Sequence, residues 1–305
     1  MDHQPDLNRQ RPGRIGYMTG GKSALWDDDN IADVLIDKAQ AFIGQNREEP
    51  FFLFFSTHDI HVPRVPHPRF AGKSTMGPRG DAILQLDWCV GKIIQTLQET
   101  GLWKNTLIIF TSDNGPVVDD GYHDQSVELL GEHTPWGSFR GGKYSVYEAG
   151  TRIPFITHWP ARIEPNISEA LVSQVDLFHS LAILTGQKLA PDDAPDSFNV
   201  LTALLGENTQ ARDFLVEQGW SLSIRKGNWK YIEPSEKSRY DPYTNIELGN
   251  APYPQLFDLS VDVAEKHNVA EKYPEKVQEM ASLLDSVKQG IVGRSISTDI
   301  FQESK

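Results

Sequence analysis

Three short stretches of this 305-residue sequence carry side chains whose types and spacing suit chemistry on an anion. Ser112-Asp113-Asn114-Gly115 sets a carboxylate beside a carboxamide directly after the apolar run Thr106 to Thr111. Two adjacent oxygen ligands suit a hard cation such as Ca²⁺, which takes about six to eight oxygens, so Asp113 and Asn114 would be part of a site and not the whole of it. Asp-Asn-Gly is also an ordinary turn sequence, and on those residues alone both readings stand. The stretch Gly141 to Pro154 holds Lys143 and Arg152 in a glycine-punctuated loop, where a cation can approach an anionic group closely. Lys143 could equally be a solvated surface lysine; beside a divalent cation it would instead complete a site for sulfate or phosphate. The third stretch, Thr57 to His67, packs His58, His61, His67 and Arg64 around Pro63 and Pro66. The imidazole of His58 or His61 could deliver a proton to a leaving oxygen. A structural zinc site competes with that reading, but the two prolines prevent a helical ligand pair and no cysteine lies nearby. His67 is expected to pack or to face solvent.

The elements that must position these residues follow from periodicity. Ile31, Leu35, Ala39 and Phe42 recur at helical spacing and predict a helix over 30–44, and Ile83, Leu86, Val90, Ile93 and Leu97 predict another over 81–100, stopped by Gly101. Pro50 to Ser56 and Thr106 to Thr111 are uninterrupted apolar runs of strand length, the pattern of strands covered on both faces. Strand, helix, strand in that order predicts a right-handed crossover between parallel strands, with His58, His61, Asp113 and Asn114 meeting at the carboxyl ends. Pro154 to Trp159 reads as a third strand and 168–186 as helical, with Asp176 as an internal cap. Beyond about residue 200 the pattern changes to short strands at 213–218, 222–226, 229–233 and 255–259, followed by a helix over 274–288. Residues 1–25 are polar, without periodicity, and are expected to be irregular.

Composition excludes some partners. With 29 Lys and Arg against 42 Asp and Glu, the chain carries −13 and repels nucleic acid and anionic lipid, so no nucleic acid partner is expected. Hydrophobic residues at 39% and fourteen Phe fit a globular protein. No apolar run reaches the roughly 18 to 20 residues of a membrane span, and the opening Met1 to Asp6 is too polar for a signal peptide. The single cysteine, Cys89, falls on the buried stripe of the second helix and is expected to pack.

Taken together, Phe51-Phe-Leu-Phe-Phe-Ser-Thr-His-Asp-Ile-His-Val-Pro63, Thr111-Ser-Asp-Asn-Gly-Pro116 and Gly141-Gly-Lys, four residues, Glu148-Ala-Gly-Thr-Arg-Ile-Pro154 resemble the type I sulfatase family, most of all bacterial arylsulfatase-like members that desulfate glycans. The resemblance runs from about Arg14 to Ala281 and takes in Ser223 to Tyr231 and Gln255 to Leu259 of the family's smaller domain. It implies an alkaline phosphatase-like α/β fold, a mixed, largely parallel sheet between helices, over 1–200. A small antiparallel sheet with a helix is implied over 201–305. It implies a calcium-dependent sulfuric ester hydrolase acting on a sulfated carbohydrate or aryl sulfate ester. Asp113 and Asn114 would be the downstream calcium ligands, Lys143 would bind the sulfate and bridging oxygen, and His61 would bind sulfate or assist the leaving group. His58 and Arg64 would contact the sugar. The family's nucleophile is a formylglycine made from the cysteine of Cys-x-Pro-Ser-Arg. Cys89 stands in Cys-Val-Gly-Lys and is not that residue. The nucleophile, the early paired aspartates and the upstream lysine and histidine are therefore expected to precede residue 1, and the 305 residues on their own to be inactive. A periplasmic or secreted location would suit the full-length family. Two other readings fit the same scaffold: a sulfated-glycan-binding protein without turnover, and a phosphate or phosphonate ester hydrolase of the alkaline phosphatase superfamily.

Overall fold

The computed structural model describes residues 27–190, 192–208 and 211–290; the expectation of an irregular 1–25 lies outside them. Helix α1 (Ile31–Gln45) follows a 3₁₀ turn at Asp28–Asn30 in which the Asp27 carboxylate accepts from the Asp29 N–H. Its buried stripe, Ala32, Ile36, Ala39 and Ile43, has the i, i+4, i+7, i+11 spacing of one helix face. That face meets helix α2 (Gly77–Glu99), where Ala32, Ile36 and Cys89 form a small core with Phe55, Trp88 and Ile93. Helix α2 begins four residues before the predicted start because Pro78 sits in its first turn, where a missing N–H costs nothing. Asp81 faces back into the preceding loop and accepts from the Gly72, Lys73 and Ser74 N–H groups.

The largely parallel sheet predicted from the sequence is not what forms. Both sheets among the described residues are antiparallel. Strand β1 (Ile108–Thr111) pairs with β2 (Phe155–His158) in the register Ile108 to His158 and Thr111 to Phe155. The apolar run 50–56 joins neither sheet among the described residues, and Phe52 and Phe54 are 72% and 81% exposed. A run of apolar residues states that a strand can be covered but not which strand will hydrogen-bond to it or in what direction. Without 50–56 as a partner, the predicted crossover has no second strand.

Between β1 and β2 lies a single helical turn, α3 (Glu148–Thr151). Helix α4 (Asp176–Leu184) is shorter than the predicted 168–186, and 168–175 is irregular. The buried Asp176 carboxylate accepts from Ser173 and Phe198 N–H groups and pairs with Arg212 at 2.6 and 2.7 Å. A short helix, α5 (Leu201–Leu204), precedes the second sheet. That sheet runs β3 (Leu215–Gln218), β4 (Leu222–Lys226), β5 (Trp229–Ile232) and β6 (Gln255–Asp258) in sequential antiparallel order. Helix α6 (Pro274–Lys288) covers one face, burying Met280 and Leu284 against Ile224, Tyr231 and Leu256. Strand alternation turns Lys230 and Ile232 to the opposite face. There Ile232, Phe257 and Leu259 pack on Val146 and Tyr147 of the loop that leads into α3. No helix among the described residues is long and apolar enough to cross a membrane.

Candidate active site

In an antiparallel pair the C-terminal end of one strand lies beside the N-terminal end of the other. Antiparallel pairing of β1 and β2 therefore places Ser112 to Gly115, which leaves β1, next to the Gly141–Pro154 loop, which leads into β2. The two segments are joined by backbone hydrogen bonds: Lys143 N–H donates to Pro116 O at 2.8 Å, and Gly115 N–H donates to Gly150 O at 2.9 Å. The approach is too close for a side chain. A Cβ at Gly115 would stand 1.8 Å from the Ala149 carbonyl oxygen, which is why the turn after Asp113 and Asn114 needs glycine.

Asp113 is exposed, and its Oδ1 accepts from the Asn114 N–H at 3.0 Å. The Asn114 amide donates its Nδ2 to Gly115 O at 2.9 Å, which makes its Oδ1 the remaining acceptor of the group. Asp113, Asn114 and Lys143 line one cavity of about 1000 Å³. The Lys143 ammonium lies 3.2 Å from His61 Nε2. His61 Nδ1 is 2.6 Å from Val62 O, and because a carbonyl only accepts, Nδ1 carries the proton and Nε2 accepts from Lys143. The structure thus brings together Asp113, Asn114, Lys143 and, through Lys143, His61.

The remaining predicted residues stand apart from this cavity. The Arg64 side chain is 2% exposed, ion-paired to Asp124 and bonded through Nε to Ile60 O at 3.1 Å. His58 has its Nε2 4.0 Å from Asp59 Oδ1, and its buried Nδ1 has no hydrogen-bond partner among the described residues. Burial raises the Asp59 carboxyl above its usual range, against a hydrogen bond from Gln85 at 2.9 Å. Among the described residues no group of three or more His, Cys, Asp or Glu is placed to hold a metal ion. The donor set at Asp113 and Asn114 is two oxygens of different charge, the chemistry of a hard cation and one side of its coordination shell.

Sequence reading did not find what anchors the loop. The Glu148 carboxylate, 1% exposed, accepts from Lys230 at 2.9 Å and pairs with Arg225 and Arg152 at 3.3 Å each. Lys230 is fully buried and also pairs with Glu217 at 3.0 Å and Glu265 at 3.6 Å. Burial by itself would lower the Lys230 ammonium, but Glu217, Glu265 and Glu148 outweigh it and hold it above the ordinary lysine value. Burial raises the Glu148 carboxyl, and the Lys230, Arg225 and Arg152 cations more than reverse this. Glu265 is farthest of the three from Lys230, and burial pushes it up to about 7. Its Oε2 nevertheless accepts from the Glu148 N–H at 2.7 Å, capping the turn of α3. Arg140 adds a bidentate pair to Glu247 at 2.7 Å and a bond to Glu265 O. The only sequence signal for this cluster is a lysine between Trp229 and Tyr231 in an otherwise apolar strand. Cys89 is buried among Ala32 and Ile36, and burial pushes its thiol up to about 12.

Comparison with known proteins matches residues 5–187 to the sulfatase family. An N-acetylgalactosamine-6-O-sulfatase of Bacteroides thetaiotaomicron is 58% identical over 277 residues, covering 90% of this chain and 54% of that protein. Arylsulfatase A of Homo sapiens is 32% identical over 257 residues, covering 78% of this chain and 49% of that protein. A solved structure from Bacteroides thetaiotaomicron, described with the metabolism of multiple glycosaminoglycans, superposes with a TM-score of 0.88 at 58% identity, covering 90% of this chain and 58% of the other. The chain therefore spans about half the length of the curated relatives it matches.

Proposed function

Because the chain belongs to the sulfatase family, we propose that it supplies the cation-binding and leaving-group half of a sulfuric ester hydrolase site. We propose a sulfated glycan as its substrate, of the class carried in the name of the Bacteroides relative, a 6-O-sulfated N-acetylgalactosamine. The observation that carries this reading is the Lys143 ammonium, held 3.2 Å from His61 Nε2 on the wall of the cavity that Asp113 and Asn114 also line. Attack at sulfur spreads negative charge over the sulfate oxygens and onto the bridging oxygen, and fixed cations that need no reorganisation stabilise it. Asp113 and Asn114 would hold the calcium ion, which when bound withdraws charge from the sulfate oxygens. Lys143 binds the sulfate and the bridging oxygen. With Nδ1–H committed to Val62 O and Nε2 accepting from Lys143, His61 in this tautomer orients the ammonium, and the proton nearest a leaving oxygen is on Lys143.

The family's formylglycine needs a cysteine in Cys-x-Pro-Ser-Arg, and the single cysteine here is in another context and buried. The 305 residues on their own are therefore expected to bind the sulfated sugar and to release no sulfate from it or from an aryl sulfate. Titration calorimetry with N-acetylgalactosamine 6-sulfate in millimolar calcium tests the reading. A charge-assisted hydrogen bond contributes about 1.5–3 kcal/mol, so Lys143→Ala should weaken binding roughly 10- to 100-fold, and Asp113→Ala should abolish the calcium dependence. Absence of binding to any sulfated sugar, with or without calcium, would overturn it.

A further inference from the structure

We propose that Trp220, on the turn between β3 and β4, is the platform for the pyranose ring that bears the sulfate ester, with Ser221 bonding a hydroxyl of that ring. The inference rests on the sulfatase reading above and adds the residue that reads the sugar. Trp220 lines the same cavity as Lys143 and Asp113 and remains 47% exposed, so its indole is not consumed by core packing. Its turn is seated on the Lys143 loop: a Cβ at Gly219 would stand 2.6 Å from Tyr144 O and 2.9 Å from a Val146 methyl, so the two backbones touch where a side chain would separate them. The turn is held in shape by Gly219 N–H donating to Ser221 O at 3.0 Å and by Lys237 Nζ donating to Trp220 O at 2.5 Å. Ser221, 7% exposed, also lines the cavity, and its buried hydroxyl has no hydrogen-bond partner among the described residues.

These are the two kinds of group that a sugar uses. One face of a pyranose is a patch of C–H bonds whose slightly positive hydrogens suit the negative face of an indole, and its rim is hydroxyl groups that satisfy an isolated hydroxyl. The backbone that carries the indole is already held by these bonds, so ordering it adds little to the cost of binding a ligand there. A sulfate held at Lys143 and a ring stacked on Trp220 share one cavity, which separates recognition of the ester from recognition of the sugar.

The test is titration of the 305-residue chain with N-acetylgalactosamine 6-sulfate and, separately, inorganic sulfate in millimolar calcium, for the wild type, Trp220→Ala, Trp220→Phe and Lys143→Ala. Trp220→Ala should weaken the sulfated sugar about tenfold and leave inorganic sulfate unchanged, Trp220→Phe should fall between, and Lys143→Ala should weaken both ligands. Urea midpoints of the two Trp220 variants within error of the wild type would exclude misfolding as the cause, as expected for a half-exposed side chain. Undiminished sugar binding in Trp220→Ala, with Lys143→Ala still impaired, would overturn this inference and leave the sulfatase reading intact. A wild-type chain that binds neither ligand would overturn both.

Discussion

Replacing Lys230 by methionine keeps the length of the side chain and removes the one cation that three buried carboxylates share. Glu148 would retain Arg225 and Arg152 at 3.3 Å, but Glu217 and Glu265, 9% and 0% exposed, lose their only ion-pair partner among the described residues. Breaking a buried ion pair by removing one partner costs about 3–5 kcal/mol because the other charge is left desolvated. For a chain of this size that corresponds to a fall in Tm on the order of 10 °C. Urea unfolding of Lys230→Met against the wild type measures the cost, and Glu217→Gln in the Lys230→Met background should recover part of it by removing one of the stranded charges. The same variant should weaken binding of a sulfated sugar, because Glu148 anchors the turn that follows Lys143 by five residues. A loss below about 1 kcal/mol, or one that Glu217→Gln does not reduce, would show that the cluster does not depend on Lys230 and that the loop is anchored by other contacts.

Glu265→Gln should change how stability depends on pH. The Glu265 carboxyl is raised from 4.5 to about 7 in the fold, so the stability it contributes is fully present below pH 4.5 and is lost as pH rises through 7. At 1.36 kcal/mol per pH unit the wild type should lose roughly 3 kcal/mol across that window relative to the glutamine variant; a constant difference between pH 5 and pH 8 in parallel urea titrations would refute it. The Cys89 thiol, buried and pushed up to about 12, should resist iodoacetamide at pH 8 in the native chain and react once unfolded in urea; rapid native-state alkylation would show that α1 and α2 do not cover it.

Much of the local structure was legible. The helices α1 and α6 lie within a residue of their predicted bounds, and the stripe of Ala32, Ile36, Ala39 and Ile43 is buried as one face of a helix must be. The short strands after residue 200 occur where turn residues punctuate the pattern, because their pairing is between neighbours along the chain. The segments bearing Asp113, Asn114 and Lys143 were singled out by residue type alone. The buried cluster was not, because a lysine in Trp229-Lys-Tyr-Ile232 looks the same whether it faces solvent or three carboxylates contributed from Glu148, Glu217 and Glu265.

By itself the sequence determined which faces of its helices are apolar and that it is a sulfatase-family chain, and it marked candidates for ligating a cation and binding an anion. Only the tertiary structure decided that β1 and β2 run antiparallel, that this brings residues 112–115 against the Lys143 loop, and that Arg64 is spent on Asp124 while Trp220 is left open to the cavity. Periodicity records that a face will be covered, but the partner that covers it, its direction and the charges it brings come from residues far away along the chain.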